Sequence, residues 1–253
     1  MLRRLARALP RGPKDLIVQL TIWFGFFFAY QLARGFADHD AIRAYLNGRL
    51  VIGAERATHT LIEVDLQRVV MHTGGVLLEA VNWTYWFSQF VVLGLALLWI
   101  YLRHNDAFAR ARNWVLATNM LALVGYVAMP TAPPRLFPED GFIDTLARSA
   151  SLNHGSGLVE LAANPFAAMP SVHSADALIV GFFMTSLVRH RWAKIAWTLW
   201  PSWVWFSVMA TGNHFWLDVA GGVGVAMVAG TWLAWIEGRR AEVPAAFSPP
   251  ERW

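Results

Sequence analysis

Six mostly apolar stretches, roughly Leu16–Ala33, Val76–Leu102, Trp114–Met129, Pro170–Val188, Ala193–Ala210 and Phe215–Ile236, run through this chain from one end to the other. Crossing about 30 Å of hydrocarbon at about 1.5 Å per residue takes about 20 apolar residues, and these stretches come near that length. The third is short and is expected to extend back toward Phe108. Of 253 residues, 56% are hydrophobic and only 15% charged, and fourteen tryptophans with sixteen phenylalanines are too many for a soluble surface of this size. The expected fold class is therefore all-α: a polytopic membrane bundle of about six transmembrane helices.

Basic residues set the expected orientation. Arg3, Arg4, Arg7, Arg11 and Lys14 precede the first stretch; Arg103, Arg110 and Arg112, then Arg189, Arg191 and Lys194, then Arg239, Arg240 and Arg252 follow the second, fourth and sixth. Six alternating spans put all four clusters, two-thirds of the 21 Lys and Arg residues, on one side, and the positive-inside rule makes that side cytoplasmic. Both termini are then cytoplasmic, in an integral membrane protein expected in the plasma membrane. The net charge of +4 needs no nucleic acid to explain it. A signal peptide is the lesser reading of the amino terminus, because Leu16–Ala33 is long for a signal core and no small-x-small cleavage site follows it. With no cysteine, the chain has no disulfide, thiol nucleophile or thiolate metal site.

Two long segments fall on the extracytoplasmic side in this arrangement. Gly35–Gly75 carries apolar residues at helical spacing and suits amphipathic interfacial helices; a packed cap over the bundle fits it equally well. Pro130–Ala168, with its prolines, glycines and the amphipathic patch "FIDTLARSASL", reads as a binding loop or lid. The expected organisation is a basic cytoplasmic tail over 1–15, a single transmembrane catalytic domain over 16–238 and a disordered cytoplasmic tail over 239–253.

Polar chemistry collects in three places, all at extracytoplasmic ends of expected spans: "PTAPPRLFP", "PSVH" and "GNHFWLDVAGG". An ionisable group at membrane depth costs at least a few kcal/mol unpaired, so it faces a partner or a wet cavity. His214 and Asp218 are four apart and share a helical face, so Asp218 can orient the imidazole and leave its other nitrogen as a base or nucleophile. A purely structural pair at a helix end fits the same spacing. Ser171 and His173 sit in the first turn of a helix, where free N–H groups and the positive dipole end form a ready anion site. Taken singly, Ser171 is a plain cap and His173 an interfacial histidine. Arg135, held between Pro133, Pro134 and Pro138, is either a rigid phosphate partner or an arginine snorkelling to headgroups. Together they supply what phosphoryl transfer needs: a nucleophile, a proton donor and a cation.

"PSVH", followed 41 residues after its histidine by "HFWLD", resembles the second and third signature motifs of the type 2 phosphatidic acid phosphatase superfamily. "PTAPPRL", "NPFAAMPSVH" and "GNHFWLDVAGG" are similar to its inositol phosphorylceramide synthase-like branch, and the likeness covers about the second half of the chain. The resemblance implies that His214 attacks phosphorus to form a phosphohistidine, with Asp218 orienting it and His173 protonating the leaving oxygen. It implies that Ser171 and Arg135 hold the phosphate, and that no metal or other cofactor takes part. The chain departs from the family at two cations: Ala128 stands where the first motif has lysine, and Val208 where the third motif has arginine. Arg148, or an arginine from Gly35–Gly75, is the expected help for Arg135, and a phosphodiester, carrying less charge, becomes the favoured substrate. Asp176, three residues after His173 on the same face, is a candidate headgroup contact; bonding to His173 and pairing with a neighbouring helix are the other readings.

The expected function is that of a metal-independent phosphatase or phosphotransferase acting on lipid-linked phosphate at the extracytoplasmic face, with water or an alcohol such as inositol as acceptor. Its expected partners are that substrate and membrane lipids. The rival is a lipid or lipid-phosphate transporter or flippase that uses the same residues only for binding.

Overall fold

The computed structural model describes residues 9–36, 40–147 and 166–242. These form eight helices and no strand: α1 Gly12–Phe36, α2 Ala41–Ala57, α3 Glu63–Thr73, α4 Gly75–Arg103, α5 Asn105–Ala128, α6 Val172–Leu187, α7 Arg191–Ala210 and α8 Trp216–Glu242. A π turn over Ser88–Val92 interrupts α4. The six expected stretches all lie within α1 and α4 to α8 to within a few residues, and α5 extends back past Phe108 as its composition suggested. Arg3, Arg4, Arg7 and Arg148 lie outside the described residues, as does the expected tail beyond Glu242.

Two helices are long and apolar enough to cross a bilayer: α4 over Gly75–Arg103 and α8 over Trp216–Arg239. The expectation of six is met in full only by these, and composition explains why. α6 is apolar but has 16 residues; α5 carries Asp106, Arg110 and Arg112, and α7 carries Arg191, Lys194 and an internal Pro201. Even so, each of the six helices leaves a large apolar side chain exposed on the outside of the bundle: Phe24, Leu95, Val124, Phe182, Leu199 and Trp232. An apolar surface so widely spread is a membrane or protein contact surface.

Inside, Leu93 and Ile100 of α4, Val115 of α5, Ile179 and Phe183 of α6 and Ala226 of α8 form the largest buried cluster. Small residues let the helices approach closely, the usual device where no water drives them together. The Trp114 indole lies across Gly230 and donates to the Ala226 carbonyl (2.7 Å). Gly181 of α6 meets the ring of Pro201 in α7, whose missing N–H costs that helix one hydrogen bond. Gly222 of α8 faces the Ser171 carbonyl, and a Cβ there would stand 2.1 Å from that oxygen. Gly222→Ala therefore forces α8 away from the start of α6, at a cost of about 1–3 kcal/mol. Gly94→Ala on α4, where a Cβ meets nothing within 4 Å, is expected to gain about 0.5–1 kcal/mol instead. Thermal midpoints in detergent should move in opposite directions, and equal midpoints would overturn the packing argument.

α2 and α3 form a packed cap over the end of the bundle where α6 and α8 begin. Asp40 caps α2 by accepting the Arg43 N–H (2.9 Å). Ala44, Val51 and Ile52 then pack on Phe137, Phe142 and Phe215, while Ile42, Leu46 and Leu50 stay exposed on the other face. The segment is thus a cap that also presents an apolar outer surface. Beneath it the loop after α5 is pinned at several points. Thr131 and Ala167 form an isolated parallel bridge, Gln67 exchanges hydrogen bonds with the Ile143 backbone, and Thr145 Oγ1 donates to Asn82 Oδ1 (2.8 Å).

Candidate active site

The turn between α7 and α8 carries His214. Gly212 ends α7 with φ at +72°, a conformation that suits glycine, and a side chain there would collide with Gln67 Nε2 and the Ile143 carbonyl. Asn213 and His214 both donate their N–H groups back to the Val208 carbonyl (3.2 Å each). The imidazole is buried, and its Nδ1 lies 2.9 Å from the Ala168 carbonyl and 3.5 Å from Asp218 Oδ2. Both neighbours are acceptors, so Nδ1 carries the proton and Nε2 keeps its lone pair. The nearer orienting group is therefore a backbone carbonyl, with the Asp218 carboxylate behind it. Burial pulls His214 down to about 3, with the Arg135 charge acting the same way and the Ala168 carbonyl opposing. At neutral pH the ring is uncharged.

Asp218 is fully buried in the first turn of α8, where Oδ2 accepts the Phe215 N–H (2.9 Å) and Oδ1 has no hydrogen-bond partner. Its backbone carbonyl accepts the Ser171 N–H (2.9 Å), which ties the start of α8 to the start of α6. Ser171 caps α6: its buried hydroxyl accepts from Ser174 N (3.3 Å) and lies 3.0 Å from Ser174 Oγ. His173, in the same turn, stacks on Tyr85 of α4 with ring centroids 4.5 Å apart and faces His214 with centroids 5.6 Å apart. The two histidines expected to act together are thus neighbours in space.

Arg135 lies on the 3₁₀ turn Pro134–Leu136. Its N–H donates to the Gly212 carbonyl (2.8 Å), its Nη1 to Asn213 Oδ1, and its Nε stands 3.9 Å from Asp144 Oδ2. The side chain is 11% exposed, and these contacts hold the guanidinium beside the His214 turn. Of the α2 arginines, Arg43 reaches the Ala128 carbonyl (2.6 Å), whereas Arg49 and Arg56 pair with Glu139 and Asp140.

Asp176 turns away from this cluster. Its Oδ1 accepts from Asn119 Nδ2 of α5 (3.0 Å), and the pair borders a pocket lined by Trp23, Tyr30, Gln89 and Phe90. Pairing with a neighbouring helix, one of the readings open in the sequence, is present in this bond, and Asp176 also lines a pocket. Sequence reasoning passed over Asn213, although it lies inside "GNHFWLD", and it had no signal for Tyr85 or the Ala168 carbonyl. Among the described residues, no group of three or more histidine, aspartate or glutamate side chains is arranged to hold a metal ion.

Chemically, the arrangement presents a neutral imidazole lone pair, a second imidazole facing it, a guanidinium anchored beside them and a helix start. The family described as PAP2 superfamily matches residues 49–232. No curated protein and no solved structure matches the chain.

Proposed function

The chain belongs to the PAP2 superfamily, a phosphatase and phosphotransferase family of membrane-associated lipid enzymes, and on that premise we propose that it moves a phosphoryl or phospho-headgroup between lipid-linked donors and an acceptor through a phosphohistidine on His214. The observation that carries this reading is the pairing of buried His173 and His214, with Nδ1 of His214 held by the Ala168 carbonyl.

In the first step the Nε2 lone pair of His214 attacks phosphorus. The N–P bond forms as the bond from phosphorus to the leaving oxygen breaks, and His173 gives that oxygen its proton. Arg135 and the first turn of α6, with the Ser171 hydroxyl, stabilise the charge that gathers on the other phosphoryl oxygens. In the second step His173 takes a proton from water or an alcohol, which attacks phosphorus and frees His214. Water as acceptor makes a lipid phosphatase; an alcohol such as inositol makes a transferase of the inositol phosphorylceramide synthase-like branch. With one anchored arginine at the site and Ala128 and Val208 in place of two further cations, the singly charged phosphodiester is the favoured donor. Neither step is routed through a metal.

We further propose that all six helices α1 and α4 to α8 cross the bilayer. Lys14 in the first turn of α1, Arg103 to Arg112 around the α4–α5 junction, Arg189 to Lys194 around the α6–α7 junction and Arg239 near the end of α8 all fall at helix ends opposite to those that carry His173 and His214. The positive-inside rule then sets that end in the cytoplasm and the site outside.

The test is phosphate release from a panel of lipid phosphates by the full-length protein in detergent, with a chelator present. Release that survives chelation supports the phosphatase. Headgroup exchange only when inositol or another alcohol is added supports the transferase. A protein that binds the lipids but does neither is a transporter, and the reading is wrong.

A further inference from the structure

The first turn of α8 is gripped by two side chains that the reaction scheme does not use. Glu63 Oε1 accepts the Trp216 N–H (2.6 Å) and Glu55 Oε1 accepts the Leu217 N–H (3.2 Å). Both carboxyls come from the cap, one from α2 and one from the start of α3, and both residues have 0% exposure. The turn between them wraps the same helix start, for Thr60 N donates to the Glu55 carbonyl (2.8 Å) and the Trp216 indole donates to Thr60 Oγ1 (3.0 Å). With Asp218 taking the Phe215 N–H, three carboxyls occupy three successive N–H groups of one turn. A typical side-chain cap satisfies one of the four free N–H groups of a helix start, and water takes most of the rest.

We infer that Glu55 and Glu63 are positioning residues, which fix the first turn of α8 through Trp216 and Leu217 and thereby hold His214 and Asp218 against the start of α6. The inference rests on His214 being the nucleophile. Such a device is needed because His214 lies in a turn just before the helix, and a shift of about 1 Å at a reacting atom is enough to cost about 100-fold in rate.

The grip also has a charge limit. Two carboxyls buried together cannot both ionise freely. Burial pushes Glu55 up to about 9, with the Glu63 charge adding to it, and burial raises Glu63 as well. Asp218 faces both from α8, and the nearby cations are engaged elsewhere: Arg56 with Asp140, and Arg49 with Glu139. A carboxyl raised in the folded state stabilises the fold fully below its unfolded value near 4.5, and that contribution is lost as pH rises through the folded value near 9. The grip is therefore expected to weaken on the alkaline side.

The experiment compares wild type with Glu63→Ala, Glu63→Gln and Glu55→Gln, as full-length protein in detergent, by steady-state phosphate release and by ¹⁵N signals of labelled histidine rings. Glu63→Ala should lower kcat about 10- to 100-fold with KM changed only a few-fold, and should move the His214 ring signals. Glu63→Gln, which keeps an acceptor oxygen for the Trp216 N–H, should recover most of both. Glu55→Gln, which cannot ionise, should carry the alkaline limb of kcat to higher pH. Unchanged kcat and ring signals in Glu63→Ala, or an unmoved alkaline limb in Glu55→Gln, overturns the inference. Should Glu63→Ala not fold, Glu63→Gln and Glu55→Gln decide alone. A wild type without activity sinks the phosphohistidine reading, and the ring signals then still decide the positioning role.

Discussion

Replacing His214 with alanine is expected to lower phosphate release by about 10⁴-fold or more, the scale on which nucleophiles fail when removed. The same change should abolish the acid-labile phosphate that wild type traps after acid quenching with labelled substrate. Burial complicates the variant, because alanine leaves the Ala168 carbonyl and Asp218 facing an empty space. His214→Gln separates chemistry from folding: its amide can still donate to the Ala168 carbonyl, yet it has no nucleophilic lone pair. Both variants should be equally inactive while His214→Gln keeps a thermal midpoint nearer wild type. A labelled protein in either variant would mean that phosphorus is attacked by another group.

Arg135→Ala is expected to cost about 100- to 1,000-fold in kcat/KM, the loss typical of removing one preorganised donor from a developing oxyanion. The expectation is large here because Arg135 is only 11% exposed and is held on several sides, by Asn213, Asp144 and the Gly212 carbonyl. A guanidinium so fixed meets phosphate as a planar fork, which an ammonium cannot copy, so Arg135→Lys should recover little. Kinetics on one soluble phosphate ester check this without the complication of lipid presentation. A loss confined to KM, with kcat intact, would make Arg135 a ground-state anchor and not a stabiliser of the transition state.

Much of this was legible because the informative patterns are short. Ser171 before a helical apolar run signals a cap, and the cap is there. His173 and His214 each open a helix or its approach at the same end of the bundle, so their meeting follows from alternating helix directions. Span positions came from run length alone and agree to within a few residues, whereas whether each helix is apolar enough to cross depends on charges the runs tolerate at their ends. What stayed hidden depends on distant pairing. Glu55 and Leu217 are 162 positions apart, and nothing in "GAERATHTLIEVD" tells that its acids will face a helix start inside the protein. The Ala168 carbonyl is backbone and leaves no residue signature. For Asp176 the helical spacing carried no sign of Asn119, 57 positions away on the adjoining helix, whose amide donates to its carboxylate.

The bridge between Thr131 and Ala167 makes a residue remote from His214 in sequence answerable for where that imidazole sits. The chain after α5 is tied down through Thr145, and it is tied again at Phe166 to Ala168, just where the carbonyl that holds His214 sits. Thr131→Pro would remove the N–H that the Phe166 carbonyl accepts, and would so loosen the stretch of backbone that presents the Ala168 carbonyl to His214.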